Sequence, residues 1–286
     1  VWPNMVAQCV RYRVPVVLAN ARLSARSLRR GQRFGAILLE AAAAIDCVAA
    51  QSEADADRLR QFGARKVHVT GSLKFDVVPP AQLVQRGVQW RAGIGERPVL
   101  LCASTRDGEE KLIVEALAGL PQQDWLVVIV PRHPQRFDEV AALIAANGFA
   151  MQRRSVLGDA GVAADTRILL GDTMGEMFAY YAACDLAFIG GSLLPLGGQN
   201  LIEACAVGKP VLFGPHMFNF QIVSDDALAA GAALRVSDAA SMLTTAAELL
   251  GNQAALQGMA HKAQAFALQH QGATARTMAL IAPLLS

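Results

Sequence analysis

Between Gly190 and His216 the chain reads GGSLLPLGGQNLIEACAVGKPVLFGPH, residue types that suit a ligand carrying both phosphate and sugar. Gly190-Gly191 and Gly197-Gly198 let the backbone turn sharply and approach a ligand, because no Cβ stands in the way. Asn200 is placed to cap the helix that follows, whose free N–H groups and positive dipole end favour a phosphate. Glu203 stands three residues on. A carboxylate is a poor phosphate ligand but a good acceptor for sugar hydroxyls, so the stretch points to a sugar-nucleotide site. Arg132 follows the apolar run WLVVIV and projects from the carboxyl end of that strand. Its rigid fork of donors matches phosphate. Its neighbour His133, at a helix start, reads as structural. Thr173-Met174-Gly175-Glu176 has the T-x-x-E spacing of a capping box, which fixes the backbone at a helix start.

These residues need a scaffold, and the pattern of the chain supplies one. Apolar residues make up 53% of the sequence and charged residues 17%, ample for large cores. The formal net charge of +2 argues neither for nor against nucleic acid, but the basic residues lack aromatic interleaving apart from Phe34, so no nucleic-acid partner is expected. No run approaches the length of a membrane-spanning helix, and no signal peptide is expected. The five cysteines (Cys9, Cys47, Cys102, Cys184, Cys205) show neither CxxC nor Cys/His metal spacing and read as buried, reduced thiols. There is no DxD and no carboxylate cluster at ligand spacing, so neither a metal nor a cofactor is expected.

Short apolar runs at Pro15–Ala19, Ile45–Ala49, Val67–Thr70, Val99–Ala103, Trp125–Val130, Arg167–Leu170, Leu186–Gly190, Pro210–Phe213 and Ala232–Val236 read as strands. Amphipathic or Ala-rich segments between them read as helices, among them Arg33–Ala43, Pro134–Asn147 and Asn200–Val207. This alternation predicts an α/β fold with parallel sheets and ligands held beyond the carboxyl ends of the strands. Val78-Pro79-Pro80 breaks the pattern. The expected division is residues 1–77 as the remainder of a first Rossmann-like domain, 78–96 as a linker, 97–270 as a second Rossmann-like domain, and 271–286 as a C-terminal helix returning to the first.

Seven segments in order carry a resemblance: WPN at Trp2–Asn4, LANARLS at Leu18–Ser24, GSLKFD at Gly71–Asp76, PRHPQRF at Pro131–Phe137, LLGDTMGE at Leu169–Glu176, GGS…GGQNLIE at Gly190–Glu203 and GKPVLFGPHMFNF at Gly208–Phe220. The chain resembles the 3-deoxy-D-manno-octulosonic acid (Kdo) transferases of lipid A modification. That resemblance implies a GT-B arrangement of two facing Rossmann-like domains, the first incomplete here. It implies an inverting glycosyltransferase with CMP-Kdo as donor and a lipid A precursor as acceptor, at the cytoplasmic face of the inner membrane. The chain alone is expected to be soluble and cytoplasmic.

By the same resemblance Pro131, Arg132, Met174, Gly175, Glu176, Asn200, Leu201, Ile202 and Glu203 contact CMP. Lys74 stabilises the transition state, where a fixed cation meets the charge of departing CMP. By analogy with other GT-B enzymes, Ser104 and Thr105 touch phosphate or sugar carboxylate, with helix capping by Thr105 and Asp107 as the plainer role. The family extends upstream of the WPN motif, where it carries a membrane anchor, acceptor-site elements and the glutamate regarded as general base. The acceptor half is therefore expected to be incomplete. A nucleotide-binding remnant without transferase activity and a GT-B enzyme acting on a UDP-sugar are the competing readings. Arg22, Arg26, Arg29, Arg30 and Arg33 would form one basic stripe if helical, facing solvent, lipid A phosphates or an anionic membrane surface.

Overall fold

A computed structural model describes residues 2–32, 35–121, 124–158 and 161–285, and the chain divides into two compact units, residues 1–77 with 269–286 and residues 78–268. In the first unit α1 (Pro3–Arg11), β1 (Val17–Ala21), α2 (Ala25–Gln32), α3 (Ala36–Ala43), β2 (Cys47–Ala50), α4 (Glu53–Gln61) and β3 (Val67–Val69) follow one another. The strands pair in that order, all parallel. β2 is buried along its whole length, and Val48 and Ala50 meet Ala56 and Leu59 of α4 in a small apolar core. Ser52 starts α4 by accepting the N–H of Asp55 at 3.1 Å.

The second unit runs through α5 (Ala81–Ile94), β4 (Val99–Thr105), α6 (Glu109–Ala118), β5 (Leu126–Pro131), α7 (Phe137–Ala146), β6 (Met151–Arg153), α8 (Arg154–Leu157), β7 (Ile168–Leu170) and α9 (Met177–Ala183). It continues with β8 (Leu186–Ile189), α10 (Ile202–Ala206), β9 (Val211–Phe213), α11 (Gln221–Ala229), β10 (Ala233–Arg235), α12 (Ala239–Leu250) and α13 (Gln253–Gln269). Its sheet is parallel throughout, in the order β10-β9-β8-β4-β5-β7-β6. The central strands are continuous apolar runs, as strands covered on both faces must be. After β4 the chain winds out to one edge, then returns to lay β8 on the other side of β4. The crevice between loops leaving β4 and β8 is thus the topological switch point where such sheets bind ligands. The last helix, α14 (Ala273–Ile281), belongs to the first unit.

Several expectations change. Residues 78–96 are no linker: α5 lies in the second unit against α9, because Gly87 lets the two backbones meet. A Cβ on Gly87 would stand 2.3 Å from the Ala179 carbonyl oxygen. β6 has no counterpart among the expected strands, being three half-buried residues without an apolar run. The helix expected over 134–147 begins with a tight 3-10 turn, Pro134–Arg136, before α7. The five-arginine stripe is not one helix. Arg22 sits in the turn after β1, Arg26, Arg29 and Arg30 lie exposed on α2, and Arg33 lies outside the described residues.

Candidate functional site

A cavity of about 290 Å³ opens at the carboxyl ends of β4, β5 and β7, beside the loop leaving β8. Ser104, Pro131, Arg132, Met174, Gly175, Glu176, Asn200 and Glu203 line it, and the structure so brings together residues drawn from four separate loops. Thr173, Gln199, Tyr180 and Tyr181 also contribute to the walls. Thr105, Leu201 and Ile202 do not line it. Their side chains are buried, and the Thr105 hydroxyl donates to Glu110 at 2.8 Å.

The β4 end is shaped by a bulge at Ser104, whose φ of 55° is left-handed and costly for a residue with a side chain. Gly190 answers it: a Cβ there would lie 2.5 Å from the Ser104 carbonyl oxygen, so only glycine lets the two loops touch. Neither Thr105 nor Asp107 caps α6. Asp107 faces Arg136 at 3.4 Å, and the carboxylate of Glu109 accepts the N–H of Arg106 at 2.9 Å.

Glu109 also answers the question of the first glycine pair, and nothing in its sequence surroundings signalled it. Fully buried, it accepts the N–H groups of Gly191 at 2.5 Å, Ser192 at 2.9 Å and Leu193 at 2.9 Å. The loop of the first glycine pair, expected to approach a ligand, thus gives its N–H groups to the protein's own carboxylate. The open donors lie further on. Among the described residues the backbone N–H groups of Gln199, Asn200 and Leu201 have no acceptor, and Gln199 and Asn200 border the cavity.

Asn200 and Glu203 do not form a reciprocal capping box. Asn200 Oδ1 accepts the N–H of Ile202 at 3.1 Å, while its amide donates to Glu203 Oε1 at 3.1 Å. Helix α10 is only Ile202–Ala206, shorter than expected. Burial pushes the Glu203 carboxyl above its ordinary value; the Asn200 amide and the charge of Arg132 pull it down without cancelling that effect. The T-x-x-E segment differs likewise, because α9 begins after Glu176. The Thr173 hydroxyl donates to Glu176 Oε2 at 2.5 Å, and Arg86 Nη1 of α5 donates to Oε1 at 2.7 Å. Arg132 is exposed, with its own N–H bonded to the Thr105 carbonyl at 2.9 Å.

Lys74 lies in the first unit, exposed on a 3-10 turn spanning Leu73–Phe75. Two residues the sequence reading did not single out hold that turn. Asn20, at a φ of 52°, accepts the N–H of Leu73 on Oδ1 at 3.2 Å. The carboxylate of Asp76 accepts the N–H groups of Gly272 at 2.6 Å, Ala273 at 3.2 Å and Thr274 at the start of α14. Burial raises the Asp76 carboxyl, but those bonds outweigh it and hold it below its ordinary value.

Cys47, Cys102, Cys184 and Cys205 are buried and Cys9 is half-buried, all unpaired. Among the described residues no group of three His, Cys, Asp or Glu side chains is placed to hold a metal ion, and no helix is long and apolar enough to cross a membrane.

A sequence profile of the 3-deoxy-D-manno-octulosonic-acid transferases (kdotransferases) matches residues 1–77. Over 97% of its length the chain is 49% identical to the 3-deoxy-D-manno-octulosonic acid transferase of Bordetella pertussis, covering 66% of that protein. It is 33% identical to the transferase of the same name from Haemophilus influenzae, over 99% of this chain and 67% of that one. The chain thus spans about two thirds of the curated relatives it matches. The crystal structure of the C-terminal CMP-Kdo binding domain of WaaA from Acinetobacter baumannii superposes with a TM-score of 0.62 at 32% identity. That match covers 65% of this chain and 98% of that one. The α/β fold with its parallel sheets is of the GT-B type.

Proposed function

Because the chain belongs to the 3-deoxy-D-manno-octulosonic acid transferase family, we propose that it binds CMP-Kdo in the cavity of its second unit and serves the transfer of Kdo to a lipid A precursor in lipopolysaccharide synthesis. The observation that carries the donor reading is the convergence of Ser104, Arg132, Met174–Glu176, Asn200 and Glu203 on one cavity at the switch point of the sheet.

The chemistry follows from the groups present. The donor carries one phosphate. The guanidinium of Arg132 and the open N–H groups of Gln199 and Asn200 supply fixed positive charge and dipoles for it. As the bond from phosphate oxygen to the Kdo anomeric carbon breaks, charge gathers on CMP. Donors already in place then stabilise the transition state without reorganising. Glu203, already accepting from Asn200, has lone pairs to spare for ribose hydroxyls. Met174 and Gly175 offer an exposed side chain and open backbone to the base. Lys74 is assigned, on the family resemblance, to the phosphate charge that develops during transfer. The acceptor is read, on the family resemblance, as a lipid A precursor at the inner membrane, where the exposed Arg26, Arg29 and Arg30 of α2 suit anionic headgroups.

Titration calorimetry with CMP and with UMP tests the donor half. Saturable CMP binding, tighter than UMP, is expected. No heat at millimolar CMP would refute the site, and preference for UMP would favour a UDP-sugar enzyme. Radiolabelled Kdo appearing on a lipid A precursor, dependent on CMP-Kdo, tests the transfer itself.

A further inference from the structure

Glu176 is held from two sides by groups that come from different parts of the fold. Thr173 Oγ1 donates to its Oε2 at 2.5 Å from the preceding loop. Arg86 Nη1 donates to its Oε1 at 2.7 Å from α5. The Glu176 side chain is 15% exposed and that of Arg86 49%, so the carboxylate sits in the wall while its partner reaches in from the surface.

The position of Arg86 is set by packing. Gly87, next to it, allows α5 to press on α9, where a Cβ would stand 2.5 Å from Ala182 Cβ as well as against the Ala179 carbonyl. Trp90, one helical turn after Arg86, lies on the Tyr180 ring at a centroid distance of 5.0 Å, and the Arg154 guanidinium sits 4.2 Å from the Trp90 ring centre. Tyr180 returns to the same carboxylate. Since the Thr173 hydroxyl hydrogen goes to Glu176, the 2.9 Å contact between Thr173 Oγ1 and Tyr180 Oη has tyrosine donating. The circuit is closed: α5 presents Arg86 to Glu176, Glu176 is bound by Thr173, Thr173 by Tyr180, and Tyr180 packs on Trp90 of α5.

The geometry points to Arg86 as a positioning residue of the donor pocket, acting through Glu176. This rests on the reading that Glu176 borders the bound nucleotide. With both oxygens held by fixed donors, the Glu176 side chain keeps one orientation before ligand arrives. Without Arg86 one oxygen is released and the side chain regains rotamers, which the ligand must then freeze out. A half-exposed ion pair contributes little to folding, so the effect belongs to binding rather than to stability. The Gln-Arg-Gly-Val-Gln-Trp segment at Gln85–Trp90 carries no motif, and only the fold brings Arg86 to Glu176.

The test is CMP affinity measured by calorimetry for wild type, R86A, R86E, E176Q and R86A/E176Q, with thermal midpoints alongside. R86A is expected to weaken CMP binding about fivefold with the midpoint unchanged, a loss within the range of a single charge-assisted hydrogen bond. R86E, which sets a like charge against Glu176, is expected to weaken it further. In the E176Q background R86A is expected to have no additional effect, whereas a merely structural role would cost the same in both backgrounds. Wild-type affinity in R86A, equal affinities of R86A and R86E, or an undiminished R86A effect beside E176Q would each overturn the proposal. Wild-type binding is the control that separates it from the donor reading: absence of CMP binding there overturns both.

Discussion

Replacing Glu109 by Gln is expected to loosen the second unit and disable its cavity together. The wild-type carboxylate is fully buried and accepts four backbone N–H groups, two on each oxygen: Arg106 and Gly191 on Oε2, Ser192 and Leu193 on Oε1. A glutamine keeps one oxygen and turns the other acceptor into a donor, so two N–H groups would face an NH₂. Each buried donor deprived of its acceptor costs about 1–3 kcal/mol. Relief from burying a charge offsets part of that, leaving a net loss of about 2–4 kcal/mol. Against a typical domain stability of about 5–15 kcal/mol, such a protein still folds. Urea denaturation followed by tryptophan fluorescence suits the measurement, since Trp90 and Trp125 both lie in the second unit and Trp125 is buried. The consequence reaches the cavity because the Gly198 N–H bonds the Gly191 carbonyl at 2.7 Å, tying the open donors at 199–201 to the loop that Glu109 holds. CMP binding by E109Q is therefore expected to be lost or strongly weakened at temperatures where the protein remains folded. Stability within about 0.5 kcal/mol of wild type, the scatter expected of an inconsequential surface change, would refute the reasoning.

Asp76→Ala should release α14 from the first unit, because three N–H groups at its start lose their acceptor, a cap worth about 1–2 kcal/mol. Hydrogen exchange of the α14 amides should rise, and unchanged protection would count against the latch. The folded Asp76 carboxyl titrates below its ordinary value, so its contribution is present above the unfolded value and lost as pH falls through the lowered one. Wild type and D76A should therefore converge in strongly acidic buffer. Glu203 has the opposite sign: burial raises its carboxyl, so its contribution to folding is largest at low pH and declines as pH rises through the raised value. Ribose hydroxyls donate more strongly to the ionised carboxylate than to the protonated one, so CMP affinity should grow with pH through a midpoint above that of an ordinary glutamate. E203Q should flatten the profile, and a wild-type affinity constant across that range would exclude Glu203 as the acceptor.

Much of the second unit was legible because its strands are unbroken apolar runs and its loops fall just after them. Val99–Thr105, Leu126–Pro131 and Leu186–Ile189 can only be covered parallel strands, and the chemistry-bearing residues beyond them had to converge. What stayed hidden has a common physical cause, namely long-range pairing that leaves no local pattern. Arg86 meets Glu176 across 90 residues and Glu109 meets Gly191–Leu193 across more than 80, each from a helix whose sequence reads as ordinary surface or first-turn acid. Local box patterns misled for the complementary reason. Thr173 with Glu176, and Asn200 with Glu203, have capping spacing, yet their side chains bond one another because both helices begin later. β6 escaped because an edge strand of Met, Gln and Arg needs no apolar face.

The two glycine pairs of the 190–216 stretch therefore do different work. Gly190 and Gly191 exist so that one loop can lie against the Ser104 bulge and give its N–H groups to a buried carboxylate. Gly197 and Gly198 press against Asn219 and Met217, where a Cβ would stand 2.1 Å from the Asn219 amide nitrogen and 2.2 Å from the Met217 sulfur. A loop with every N–H open to the ligand would have nothing to hold it before the ligand arrived. Here the first half is satisfied internally, and its rigidity passes through the Gly191–Gly198 bond to the three consecutive donors left open. On the proposed donor reading, a phosphate meeting the Gln199 and Asn200 N–H groups would cost little binding energy in ordering the loop, and the same preorganisation would stabilise charge gathering on departing CMP. The first glycine pair, expected to approach a ligand, instead gives its loop to Glu109, and under the proposed function the ligand takes the donors at Gln199 and Asn200, beyond that carboxylate's reach.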